Sequence, residues 1–258
     1  MDLETIKIDL PIASPPWTGL GKRLESLCRK ALYQFSLVEG QDKVGVALSG
    51  GKDSLSLLYL LKAISGRGFQ NFSLHAFHVS GEFSCGSSVA QNFLERICKE
   101  LSIPLTICET TQKREDLACY SCSRLRRKLI FDAAKEAGIT TIAFGHHRDD
   151  SIQTLLMNLF HKAEFAANLP KVPMLDYGVT IIRPLIYVSE QEIRDFAKMY
   201  GFARITCQCP VGQNSLRKQT DQLITLIEET FPNLRENLSQ ASFHYASDKA
   251  LRKDNKEK

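Results

Sequence analysis

Lys43-Val44-Gly45-Val46-Ala47-Leu48, then Ser49-Gly50-Gly51-Lys52-Asp53-Ser54, then Leu55-Ser56-Leu57-Leu58-Tyr59-Leu60-Leu61-Lys62 is the stretch that decides the fold. The first segment reads as a short buried strand and the last as an apolar helix. Strand, glycine turn and helix together present free backbone N–H groups and a positive dipole end to a phosphate. The paired glycines, Gly50 and Gly51, admit an anion with no Cβ in the way. Lys52 adds a point charge, and Ser49 and Ser54 add hydroxyl donors. An ordinary Gly-Gly turn capped by Asp53 or Ser49 is the plainer alternative, and the flanking strand and helix favour a nucleotide over it.

The kind of phosphate loop follows from its spacing. A Walker A loop requires G-x-x-x-x-G-K-[ST]. Gly45 and Gly50 have that spacing, but Gly51 stands where Lys is required. One residue along, Val46 replaces the first glycine and Asp53 replaces Ser/Thr after Lys52. Walker A fails in both registers. The remaining S-G-G-K-D-S resembles the pyrophosphate loop of the PP-loop ATP pyrophosphatase superfamily. That resemblance implies cleavage of ATP between its α and β phosphates, with adenylation of a substrate oxygen.

A chain of 258 residues suits one large α/β domain with a small appendage. Its 43% apolar and 24% charged residues are ordinary for a globular protein. No window approaches the run of about 18 apolar residues that a membrane helix needs. Met1-Asp2-Leu3-Glu4 is acidic and lacks the apolar core of a signal peptide, so a cytoplasmic location is expected. The eight cysteines are then poor candidates for a disulfide framework, and those that cluster point to metal or reactive sulfur. A net charge of +4 permits an RNA partner without demanding one.

The spacing of apolar residues predicts an extended arm over 1–17, a helix over 18–37 and the first strand at 43–48. Further strands are expected at 73–79, 105–108, 141–144 and 179–182, alternating with helices near 89–101, 123–137, 149–160 and 189–200. Alternation of this kind is the pattern of a doubly wound, mostly parallel five-stranded sheet. Two more helices, over 216–231 and 233–245, precede a charged tail at 248–258. The expected organisation is an arm and helix (1–40), a nucleotide-binding α/β domain (41–212) and C-terminal helices with their tail (213–258).

Gly145-His146-His147-Arg148-Asp149-Asp150 follows the fourth strand directly, and so lies on the same sheet edge as the glycine loop. Adjacent carboxylates at a helix start suit Mg²⁺ beside phosphate oxygens, and they also suit helix capping. Cys119-Tyr120-Ser121-Cys122 opens a helix, where the dipole favours thiolate. Redox, zinc and Fe–S readings are all open for it, and Cys207-Gln208-Cys209-Pro210 could join it from a later loop. Cys28, Cys85, Cys98 and Cys108 read as small buried hydrophobes. Arg124, Arg126, Arg127 and Lys128 cannot share one helix face. They form either a solvated surface or an RNA contact that Arg217, Lys218, Arg235 and His244 extend.

S-G-G-K-D-S at 49–54, C-x-x-C-S-R-L-R-R at 119–127, G-H-H-R-D-D at 145–150, I-R-P-L at 182–185 and Cys209-Pro210 together resemble the tRNA 2-thiocytidine synthetases (TtcA family) over about residues 20–220. The resemblance implies that ATP adenylates the C2 oxygen of cytidine 32 in the tRNA anticodon loop, and that sulfur then displaces AMP. It implies ATP and Mg²⁺ at Ser49, Gly50, Gly51, Lys52, Asp53, Ser54, His78, Gly145, His146 and Asp149, with Lys52, Asp53 and Asp150 as the catalytic groups. It implies a [4Fe–4S] cluster on Cys119, Cys122 and a third ligand in Cys207–Cys209, with Cys209 preferred. It also implies a sulfur donor such as a cysteine desulfurase, and it suggests a homodimer. The late cluster here is C-x-C-P, where close relatives are expected to carry C-x-x-C.

The chemistry is coherent. An amide-like C2 carbonyl is a poor electrophile and oxide a poor leaving group; adenylation supplies AMP as a good one, and loop amides, Lys52 and Mg²⁺ stabilise the departing pyrophosphate. Rival readings are a lysidine-type or thiouridine-forming tRNA enzyme, an ammonia-using amide ligase, and a non-catalytic nucleotide module with structural zinc.

Overall fold

The computed structural model describes residues 10–81, 89–110, 119–201 and 216–247. Six strands make one sheet: β1 (Lys43–Ala47), β2 (Ser73–Ser80), β3 (Leu105–Glu109), β4 (Thr141–Ala143), β5 (Lys171–Met174) and β6 (Val179–Ile182). Their spatial order is β3-β2-β1-β4-β6-β5. All neighbours run parallel except β5, which pairs antiparallel with β6. The doubly wound, mostly parallel sheet is as expected, but it has six strands and not five. Sequence periodicity passes over β5 because it is four residues long and carries Pro173. An edge strand tolerates proline, since one side of it needs no ladder N–H.

Both faces of the sheet are covered, in keeping with the mostly apolar central residues of the parallel strands. Leu74 and Ala76 of β2 face one core and Phe77 and Val79 the other, following the period of two. The first core receives α1 (Leu20–Gln34), α2 (Lys52–Ile64), α3 (Val89–Glu100) and α6 (Glu190–Met199). The second receives α4 (Cys119–Glu136) through Ile130, Phe131 and Ala134. Of the expected N-terminal arm, residues 1–9 lie outside the described residues. The remainder packs on the first core through buried Ala13 and Trp17, and Tyr59 Oη donates to the Pro11 carbonyl at 2.9 Å.

The C-terminal helices, α7 (Leu216–Glu228) and α8 (Leu234–Tyr245), pack on α5 (Arg148–Lys162) around Ile152, Leu156 and Ile224. No helix among the described residues is long and apolar enough to cross a membrane. The expected charged tail at 248–258 lies outside the described residues.

Candidate active site

The strand order reverses between β1 and β4, and the loops that follow these two strands meet there. Gly50 takes φ +84°, a left-handed conformation that leaves Gly51 as the extended N-cap of α2. Gly51 offers no side chain to cap the helix, so the N–H groups of the first turn face the edge that a phosphate would approach. The Ser49 and Ser54 hydroxyls lie 3.1 Å apart, and Ser54 donates to the Gly51 carbonyl at 3.0 Å. Lys52 Nζ stands 2.9 Å from Asp53 Oδ1 and 3.2 Å from Glu190 Oε1. Burial alone would lower the Lys52 pKa, but Asp53 and Glu190 outweigh it and hold the ammonium charged.

The second loop is pressed against the first. A Cβ at Gly145 would stand 3.0 Å from the Asp53 carbonyl carbon and 3.1 Å from the Ser54 nitrogen. His147 is the N-cap of α5 and forms a capping box with Asp150: His147 Nδ1 accepts from Asp150 N–H, and Asp150 Oδ2 accepts from His147 N–H. His147 Nε2 also lies 3.8 Å from Asp53 Oδ1, which links the two loops. Burial works against the Asp150 carboxylate, yet the adjacent His147 and the ion-paired Arg217 hold its pKa below the ordinary value.

Asp149 is buried, with both oxygens engaged. Oδ2 accepts the Glu190 N–H and Oδ1 accepts Arg235 Nη1, each at 2.7 Å. His146 stacks on Phe144, with ring centroids 5.8 Å apart. Burial, reinforced by Arg183, pushes its pKa far down and keeps it neutral. His78 is buried, with Nδ1 2.8 Å from the Leu48 carbonyl; that nitrogen therefore carries the proton. Its Nε2 is a bare acceptor with no hydrogen-bond partner among the described residues. Burial lowers the His78 pKa as well.

A family model described as a PP-loop domain matches residues 21–206. A tRNA-cytidine(32) 2-sulfurtransferase of Syntrophotalea carbinolica is 34% identical over 227 residues, 85% of this chain and 87% of the relative. One from Stenotrophomonas maltophilia is 36% identical over 239 residues, 89% of this chain and 79% of the relative. This chain belongs to the PP-loop tRNA-cytidine(32) 2-sulfurtransferase family. Among solved structures, the U34-tRNA thiolase NcsA from Methanococcus maripaludis with its [4Fe-4S] cluster superposes with a TM-score of 0.70 at 23% identity. That match covers 90% of this chain and 82% of NcsA, and at such identity the likeness is one of fold.

In this member of the sulfurtransferase family the cysteine pair sits on the first turn of α4, with Cys119 its first residue. Cys122 is a free, half-buried thiol. Cys207, Cys209 and Cys85 lie outside the described residues. Cys28 and Cys98 are buried, as expected of small core residues, and Cys108 is half-buried. The basic run divides by face: Arg124 and Lys128 are exposed, while Arg126 and Arg127 are half-buried. Arg126 is close enough to depress the His78 pKa, and Arg127 that of His146, so this end of α4 borders the nucleotide edge.

Sequence reasoning missed Glu190. Its only local signal was the Ser189/Glu192 capping box that starts α6 beside it. It left Arg217 and Arg235 open between a solvated face and an extension of an RNA contact, and did not foresee that they are ion-paired to Asp150 and Asp149.

Proposed function

We propose that this chain converts cytidine 32 of a tRNA anticodon loop to 2-thiocytidine at the expense of ATP. The observation that carries the reading is the meeting of the Ser49–Ser54 loop with the Gly145–Asp150 loop at the switch point, in a chain of the tRNA-cytidine(32) 2-sulfurtransferase family. In this reading the ATP phosphates lie on the first-turn N–H groups of α2, between the Ser49 and Ser54 hydroxyls. Lys52 exchanges its carboxylate partners for a phosphate oxygen and offsets the charge that develops on the leaving pyrophosphate. His78 and His146, both neutral, border the nucleotide as hydrogen-bonding groups rather than as charges.

Asp53 borders the loop and fits a Mg²⁺ that arrives with the nucleotide, and the partly exposed Asp150 would join it by releasing Arg217; Asp149, held by Arg235 and the Glu190 N–H, is more deeply buried. Magnesium would polarise the phosphates there. Cys119 and Cys122, one helical turn apart, are soft donors suited to iron, and Cys209 is the third ligand of the reading. A [4Fe–4S] cluster held by these three thiolates would supply sulfide-level sulfur to C2, and the adenylated oxygen would leave as AMP. The half-buried Arg126 and Arg127 place positive charge where the RNA backbone would pass. A cysteine desulfurase is the class of donor that renews the sulfur, and the enzyme works in the cytoplasm as a homodimer.

The test is anaerobic purification with iron and sulfide analysis, joined to nucleoside mass spectrometry of tRNA from cells with and without the protein. Unchanged 2-thiocytidine would sink the proposal. Cys119→Ala, Cys122→Ala and Cys209→Ala should each abolish 2-thiocytidine, and retained activity in Cys209→Ala with loss in Cys207→Ala would reassign the third ligand.

A further inference from the structure

We infer that Arg235 of α8 is a positioning residue of the nucleotide site, acting on Lys52 through Asp149 and Glu190. The inference rests on the ATP site proposed above. Each link is a short polar contact. Arg235 Nη1 donates to Asp149 Oδ1 at 2.7 Å, and Asp149 Oδ2 accepts the Glu190 N–H at 2.7 Å. The Glu190 carboxylate then stands 3.2 Å from Lys52 Nζ. The guanidinium is fixed from its far side by Glu228 of α7, which accepts Arg235 Nε–H at 2.8 Å.

The reasoning turns on burial. The Asp149 side chain is only 5% exposed, and a carboxylate in that setting needs its counter-charge. With each oxygen already holding a partner and little of the side chain exposed, it is poorly placed to ligate a metal. It works instead as a rigid bracket. One oxygen is held by the C-terminal helix pair, and the other sets the position of the first residue of α6. That residue carries the carboxylate against which Lys52 rests. Helices outside the sheet thereby determine where the phosphate-binding ammonium stands.

The test measures tRNA-dependent pyrophosphate release while ATP and Mg²⁺ are varied separately. It compares the full-length wild type with Arg235→Met, Asp149→Asn, their double variant and Glu190→Gln. Arg235→Met and Asp149→Asn should each raise KM for ATP about tenfold, as a small displacement of a reacting group does. Both should leave the half-saturating Mg²⁺ concentration within about twofold, and the double variant should be no worse than the weaker single within about twofold, because both cut one path. Glu190→Gln severs the last link, together with the exposed Glu190–Arg194 pair, and leaves the buried pair intact. It should raise KM for ATP with the thermal midpoint unchanged, and it keeps the test decisive where Arg235→Met fails to fold.

The inference is overturned by a tenfold change in Mg²⁺ requirement in Asp149→Asn, by effects of Arg235→Met and Asp149→Asn that multiply, or by an unchanged KM for ATP in Glu190→Gln. Absence of ATP-dependent pyrophosphate release by the wild type would overturn the nucleotide reading and this inference with it.

Discussion

Gly145 lies so close to Asp53 that a Cβ at position 145 would stand 3.0 Å from the Asp53 carbonyl carbon. The obstacle is backbone, not the end of a flexible side chain, so an added methyl must drive the two loops apart. Gly145→Ala should lower stability by about 1–3 kcal/mol, as overpacking does, and abolish ATP-dependent pyrophosphate release. Thermal unfolding and a pyrophosphate assay check both parts. A fully active, equally stable Gly145→Ala protein would show that the loops need not touch.

Lys52 carries the one lysine charge placed at the N-terminus of α2 and is held there by Asp53 and Glu190. Lys52→Met should reduce kcat/KM about a hundredfold or more, the scale on which removal of a charge-stabilising donor acts. The thermal midpoint should stay close to that of the wild type, since the ammonium lies at the surface end of the helix. Lys52→Arg should recover part of the loss; no recovery would mean that the loop needs the compact ammonium itself.

His146 and His78 are held neutral by burial, below the ordinary histidine value of 6.5. On unfolding they regain that value and take up protons wherever the solution is more acidic. The unfolded state then binds more protons, so stability rises with pH in this window. Stability from these two groups is full above about pH 6.5 and is lost progressively as pH falls below it. Urea midpoints between about pH 7 and about pH 5 should therefore decline in the wild type and decline less in His146→Gln. Equal slopes in the two proteins would exclude His146 as a source.

Cys28 and Cys98 are buried, and burial pushes the Cys28 thiol far up and the Cys98 thiol up to about 11. Cys122 is half-buried at the start of α4. Brief alkylation of the cluster-free native protein should label Cys122 and spare Cys28 and Cys98, with all three labelled in denaturant. Peptide mass spectrometry reads the result, and native labelling of Cys28 would contradict its burial.

Much of this architecture could be read from the chain alone, because the signals are local. A strand, two glycines and an apolar helix are contiguous at 43–64, and Gly145–Asp150 follows its strand without a gap. β5 escaped because Pro173 and four residues carry no periodic pattern, and only pairing with β6 makes them a strand. The partners of the paired carboxylates escaped for a related reason. Arg235 lies 86 residues from Asp149 in the chain, and nothing near either residue announces the other. Exposed arginines and buried, paired arginines have the same letters in sequence.

By itself, then, the sequence determined the alternation of strands and helices, the phosphate loop and the cysteine pair on a helix start, all of which depend on neighbouring residues and helix or strand periodicity. Only the tertiary structure decided which charged groups are spent on one another. Asp149 is committed to Arg235 and to the Glu190 N–H, while Lys52 rests between Asp53 and Glu190 at the edge where phosphate would arrive. The physical reason is that the cost of burying a charge, and the partner that offsets it, are set by distance through space and not by distance along the chain.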